Sequence, residues 1–288
     1  MAVLAVQAIR RMRGGAQSQL MLGADGNLWV VKFQNNPQHL RVLANEIIVS
    51  RLAEAAGLTV PKSDVIEVTP WLAANSIDLE VDFGRGRRER CLPGLHFGSQ
   101  FIGGLVPGET VDYLPEPQLE EVLNLKEFAG ILALDKWTGN CNGRQAVFSR
   151  KPRGKKYSAT FIDQGFCFNA GDWTFPDSPL RGVYARNTVY EKVTGWESFS
   201  PWLERFEQMA PETLWTISES VPPEWYGGDT STIERLMEQL LNRRSRIREL
   251  ITSFRDTERV PFPLWTPSAS IAVPPNFMKA AASKDYIM

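Results

Sequence analysis

The chain has 288 residues, 43% of them hydrophobic and 23% charged, which is enough apolar content for one large core or two modest ones. A formal net charge of -1 argues against a strongly basic nucleic-acid binder or a membrane-surface protein and leaves room only for local basic patches. Cys91, Cys141 and Cys167 are widely spaced, with no CxxC and only His39 and His96 to assist, so neither a disulfide framework nor a structural zinc site is expected. The N-terminal MAVLAVQAIRRMR puts apolar residues before basic ones, the reverse of a secretory signal, and no run approaches the roughly 20 apolar residues of a membrane helix. The expectation is a cytoplasmic protein with no membrane contact.

In chain order, Val3 to Met12 has the content of a strand, Gly14-Gly15 interrupts it, and Leu20 to Leu22 makes a second. Asp25-Gly26 tolerates the positive φ of a hairpin turn into a third strand, Leu28 to Phe33. Period-two alternation assigns Leu28, Val30 and Lys32 to one face and Trp29, Val31 and Phe33 to the other. From His39 to Ala56 apolar positions recur at helical spacing, with Gly57 and Pro61 as a stop. Val65 to Val68 and Leu79 to Phe83 read as strands, and the arginine-rich run at 84–90 reads by default as a solvated loop. The glycine-rich stretch from Gly94 to Gly108 suits a joint between two lobes. Beyond Pro117 an amphipathic helix carries Val122, Leu125, Phe128, Ala129 and Leu132 to near Trp137. A hairpin then pairs Ala146 to Phe148 with Ser158 to Ile162 across the basic turn 150–156. Helices follow at Pro201 to Met209, at Pro211 to Val221, and in one long stretch from a Ser231-Thr232-Ile233-Glu234 capping box to Phe254. Prolines at 261, 263, 267, 274 and 275 forbid regular structure in the tail, leaving it wrapped on the body or disordered. The class is α+β, with a β-rich N-terminal lobe at 1–104 containing one main helix, a mostly helical lobe at 105–256 and a proline-rich tail at 257–288.

The hairpin concentrates the chemistry. Its register carries Asn140, Asn142 and Gln145 to the same end as Asp163. A carboxylate that can hold Mg²⁺, amide oxygens that can add ligands and a lysine that can neutralise phosphate charge are what phosphoryl transfer requires. Gly165, two residues after Asp163, frees the backbone to turn away. Lys32 either snorkels to solvent or contacts phosphate, and Glu46 either pairs with Lys32 or faces water. The loop Gly14, Gly15, Ala16, Gln17 and Ser18 joins two strands and can present backbone N–H groups to phosphate oxygens. Asp135 and Asn140 match a D-x-x-x-x-N spacing, but Asp135 falls where the helix is still running and reads better as a brace for the loop. Arg181, Tyr184, Arg186 and Tyr190 read a substrate or simply pack.

The LWVVKF strand with Lys32, the NEIIVSRLAEAAGLTVP helix from Asn45, LDKWTGNCNGRQAVF and FIDQGF together resemble the HipA-like kinases, specifically the short form without a separate N-terminal subdomain. The resemblance runs from about Gly14 to the final helix. It implies a two-lobed protein-kinase-like (HipA and PI3K-related) fold and an ATP- and Mg²⁺-dependent serine/threonine kinase, in many members a bacterial toxin paired with a DNA-binding antitoxin. Carried over by position, Gly14 to Ser18 would form the phosphate loop, Lys32 would contact ATP, Glu46 would pair with it, and Asp163 and Gln145 would hold the metal. Asn140 matches the first asparagine of the family loop, and Asn142 stands where the catalytic aspartate belongs. Ser18 is the residue available for autophosphorylation. An asparagine cannot take a proton from an attacking hydroxyl, so the chain reads as a catalytically impaired kinase of a protein substrate. The alternatives are a nucleotide-binding pseudokinase acting as a regulatory module, or a kinase of RNA or a small molecule using the basic loop at 84–90. The adenine-binding hinge is bracketed between Leu95 and Gly104.

Overall fold

The computed structural model describes residues 2–103 and 106–266. The expected lobe boundary at Gly104 and Leu105, and the tail from residue 267 onward, lie outside the described residues.

β1 (Val3–Arg11), β2 (Gln19–Gly23) and β3 (Leu28–Lys32) form the antiparallel meander that the turn chemistry predicts. Gly26 adopts φ +78°, and Asp25 Oδ1 accepts from the Asn27 N–H at 3.1 Å and the Trp29 indole N–H at 3.2 Å. α1 (Val42–Ala55) stops at Gly57, φ +76°. β4 (Ser63–Val68), α2 (Pro70–Asn75), β5 (Glu80–Asp82), β6 (Arg88–Arg90) and β7 (Gly94–Gln100) complete the first lobe. The order β1-β2-β3-β7-β4 closes into a barrel, with β7 antiparallel between β3 and β4 and β4 parallel to β1. Trp29, Val31 and Phe33 fill the interior with Met21, Ile66 and Val68, so the alternation in β3 turns Lys32 to the opposite face.

Two loop expectations are corrected. Residues 94–100 of the glycine-rich stretch are the central strand β7 rather than a joint. Its glycine content reflects crowding, because a Cβ at Gly98 would collide with Ile66. The arginine-rich run is a hairpin, in which Gly84, Arg85 and Gly86 take positive φ and Arg88–Arg90 pairs with Glu80–Asp82.

The second lobe contains β8 (Thr110–Val111), α3 (Glu116–Leu119), α4 (Glu127–Thr138), β9 (Gln145–Ser149), β10 (Ser158–Ile162), α5 (Trp202–Glu207), α6 (Pro211–Glu219), α7 (Thr230–Arg243) and α8 (Ile247–Arg255). The single helix expected beyond Pro117 is two, and α4 is buried on all sides from Phe128 to Thr138, which erases the polar face a stripe needs. The long final helix is also broken, by a 3₁₀ turn at Arg244–Arg246 where Arg244 turns its side chain onto the Leu241 and Met209 carbonyls. Its cap is Asp229, not Ser231: the carboxylate accepts from the Ser231 N–H and from both the Ser231 and Thr232 hydroxyls. The described part of the tail packs, with Phe262 buried against Tyr190, Phe199 and Phe254. No helix among the described residues is long and apolar enough to cross a membrane.

His96 on β7 is fully buried and neutral, with Nε2–H donating to the Leu92 carbonyl at 2.9 Å and Nδ1 accepting from the Gln34 N–H at 3.2 Å. Burial pushes its pKa down to about 4. The unfolded chain therefore takes up a proton near pH 6.5 that the native state refuses until about pH 4. Stability is complete above pH 6.5 and falls by about 3 kcal/mol as pH drops to 4. Urea unfolding at stepped pH should show this slope flattened in His96→Gln; an unchanged slope would refute the assignment.

Candidate active site

Lys32, the last residue of β3, points away from the barrel core toward α1, where Glu46 is buried. Lys32 Nζ donates to Glu46 Oε1 and, at 2.8 Å, to Asp163 Oδ1. Of the two readings of Glu46 the structure has the pair. The Glu46 carboxylate also accepts the backbone N–H groups of Gln164 and Gly165, each at 2.9 Å. Burial opposes the charge on Lys32, but the two carboxylates more than offset it and its pKa is raised. Burial lifts the Glu46 carboxyl above its ordinary value although Lys32 pulls it back. Burial alone would lift Asp163 too, but Lys32 holds it below the usual carboxylate range.

β9 and β10 pair in the register read from the sequence, with Ile162 opposite Gln145. Asp163 follows at once, and Gln145 Nε2 donates to its Oδ2 at 2.7 Å. The role given to Gly165 changes. The left-handed residue is Asp163 itself, at φ +64°, and Gly165 is needed for closeness: a Cβ there would stand 2.6 Å from Val42 Cγ2 and 3.1 Å from Glu46 Oε1.

Asp135 braces the loop from inside α4. It accepts from Arg144 Nε at 2.8 Å, from Arg144 Nη2 and from Asn140 Nδ2 at 2.9 Å, and Arg144 Nη1 continues to the Ile162 carbonyl at 2.8 Å. Asn140 Oδ1 accepts the Asn142 N–H at 3.0 Å, so Asn140 is consumed in holding the loop. Asn142 is exposed, its Oδ1 accepts the Gly143 N–H at 2.8 Å, and its carbonyl accepts the Gly182 N–H at 3.2 Å.

Asn142, Gln145 and Asp163 line a cleft of about 400 Å³ together with Lys32, Glu46, Gly14, Gly15, Ala16 and Ser18. Gln17 instead anchors the glycine loop, exchanging hydrogen bonds with the Asp82 backbone at 2.5 and 2.8 Å. Ser99, Gln100, Phe101 and Ile102 line the cleft too, inside the interval bracketed for a hinge. The 84–90 hairpin does not line this cleft, and Arg87 and Arg90 are engaged by Glu89 and the Ser76 carbonyl. Tyr184 and Tyr190 pack, the Tyr190 hydroxyl accepting the Tyr184 N–H at 3.0 Å. Arg186 lies over Tyr113 and donates to the Leu114 carbonyl, and Arg181 donates to Asn169 Oδ1 at 2.8 Å.

Sequence reasoning missed Asn45. Its Nδ2 lies 2.8, 2.9 and 2.8 Å from the carbonyls of Gly165, Cys167 and Ala170, and its Oδ1 accepts the Trp173 indole N–H at 2.7 Å. It thereby holds Phe168, Asn169 and Ala170 in three successive left-handed conformations, φ +58°, +57° and +58°. The signal was present: an amide with Val42, Ile48 and Val49 one helical turn away must find partners if buried.

Two substitutions test these braces by chemical denaturation. Asp135→Ala leaves the Arg144 guanidinium buried and uncompensated and should cost about 3–5 kcal/mol. Asn45→Ala orphans several groups of the loop after Asp163 and should cost about 2–3 kcal/mol, with new protease cleavage within residues 163–173.

The fold agrees with comparison to known proteins. Helicobacter pylori proinflammatory kinase CtkA superimposes with a TM-score of 0.55 at 13% identity, over 89% of this chain and 99% of its own. The Golgi casein kinase gives 0.52 at 12% identity over 90% and 75%, and hydra Fam20 with sugar gives 0.50 at 10% identity over 88% and 88%. At such identities the likeness is one of fold, a two-lobed kinase-like fold. No curated protein matches the chain in sequence. Residues 5–148, half of the chain, match the HipA-like kinase profile, and the chain belongs to the HipA-like kinase family.

Proposed function

We propose that the chain is an ATP- and Mg²⁺-dependent phosphotransferase acting on a Ser or Thr hydroxyl of a protein, weakened by the asparagine at position 142. The observation that carries this reading is Lys32 held between Glu46 and Asp163 in a cleft that Gly14, Gly15, Ala16 and Ser18 also line. Lys32 neutralises nucleotide phosphate charge, and Glu46 fixes its position. Asp163 and Gln145 offer hard oxygen ligands, the amide turning over from its present hydrogen bond to present Oε1. The donor set fits Mg²⁺, which bound there would screen the charge of the transferring phosphoryl group. Ser99 to Ile102 take the adenine side.

Position 142 is where an acceptor hydroxyl must lose its proton. Asn142 lines the cleft, but an amide is no base, and its oxygen already accepts from the Gly143 N–H. Transfer then rests on positioning and charge alone. The same observation favours the second reading, a nucleotide-binding pseudokinase with a regulatory partner; a toxin role beside an antitoxin protein is compatible with either.

Transfer from γ-labelled ATP separates them. Asn142→Asp should raise autophosphorylation or protein phosphorylation about 10²-fold or more over the native chain, the scale of a positioned base. Asp163→Ala in that background should abolish it. Nucleotide binding with no turnover in Asn142→Asp would leave the pseudokinase.

A further inference from the structure

The cleft does not end at the Lys32–Glu46 pair. Gln164 lines it and is 1% exposed, and neither its side-chain oxygen nor its nitrogen has a hydrogen-bond partner among the described residues. Its backbone N–H is held by Glu46, which sets the residue against α1. Ser50, one turn beyond Glu46 on the same helical face, is buried and lines the same cleft, with Pro61, Phe97 and Ile162 as apolar lining. Buried amides are ordinarily paired at both ends, because an unpaired one loses its hydration without return. A methionine would fill a similar volume without that cost. An amide left unpaired at the wall of a cleft has the chemistry of a ligand contact.

We propose that this inner end of the cleft is a subsite for an uncharged group carrying both a hydrogen-bond donor and an acceptor, a carboxamide in the simplest case, held by Gln164 and Ser50. The carboxamide of Gln164 presents an acceptor and donors side by side, so a second amide pairs with it through two antiparallel hydrogen bonds. An anion would meet the carboxylates of Glu46 and Asp163, whereas a cation, which has donors and no acceptor, would leave the amide N–H groups unpaired. The subsite goes beyond the nucleotide reading and does not depend on phosphate transfer.

Benzamide, benzoate and benzylamine share a ring and differ in the polar group. Each is titrated by calorimetry into wild-type, Gln164→Met and Ser50→Ala protein, and the melting temperature of each protein is recorded. The expected result is binding of benzamide alone, at least a tenfold loss in Gln164→Met, a smaller loss in Ser50→Ala, and a higher melting temperature for Gln164→Met than for wild type. Ser50→Ala carries the test if Gln164→Met does not fold. Equal benzamide binding by wild type and the variants overturns the proposal, as does no binding by wild type. A Gln164→Met protein that melts lower, beside a wild type indifferent to benzamide, overturns it in favour of a structural water. A non-hydrolysable ATP analogue titrated in parallel tells a missing subsite from a missing nucleotide site.

Discussion

One buried ammonium group sits between two carboxylates, and the cleft is built around it. Lys32 comes from the barrel, Glu46 from α1 and Asp163 from the end of the β9–β10 hairpin. Removing three charges from water is costly, and the arrangement is stable only when all three meet and their remaining valences are filled. The Gln164 and Gly165 N–H groups fill those of Glu46, and Gln145 serves the outer oxygen of Asp163. The cluster keeps one surplus negative charge facing the cleft, which suits it to a cation shared with phosphate.

A second, separate ion pair holds the chemistry loop in shape. Asp135 and Arg144 are fully buried at their side chains, and through Asn140 and the Ile162 carbonyl they tie α4, the 140–144 loop and the hairpin together. This scaffold is indifferent to whether position 142 is aspartate or asparagine, since Asn142 is held through its backbone and through a side-chain oxygen that aspartate also carries. Under the proposed function, an asparagine in place of a base leaves the fold and the cleft intact, so that kinase fold and kinase activity are separable.

Much of this was legible in the residues. The alternation of Trp29, Val31 and Phe33 against Lys32 reports the barrel face, and the hairpin register places Gln145 beside Asp163. What was not legible had physical reasons. β7 looked like a joint because Gly98 makes room for Ile66, a constraint that comes from another strand. α4 lacked a polar face because it is surrounded, and at the break before α8 an arginine reaches the Met209 carbonyl, far away in sequence. Asn45 and Gly165 owe their identities to contacts spanning more than a hundred residues, which no local pattern encodes.

We propose that Lys32, Glu46 and Asp163 form a divalent-cation-dependent nucleotide site. Calorimetric titration of the native chain with a non-hydrolysable ATP analogue, with and without Mg²⁺, tests it most directly when repeated on Asp163→Asn. The expected result is binding that Mg²⁺ strengthens in the native chain and that loses this Mg²⁺ dependence in the variant. Equal binding by both proteins with and without Mg²⁺, or no binding by the native chain, would contradict it.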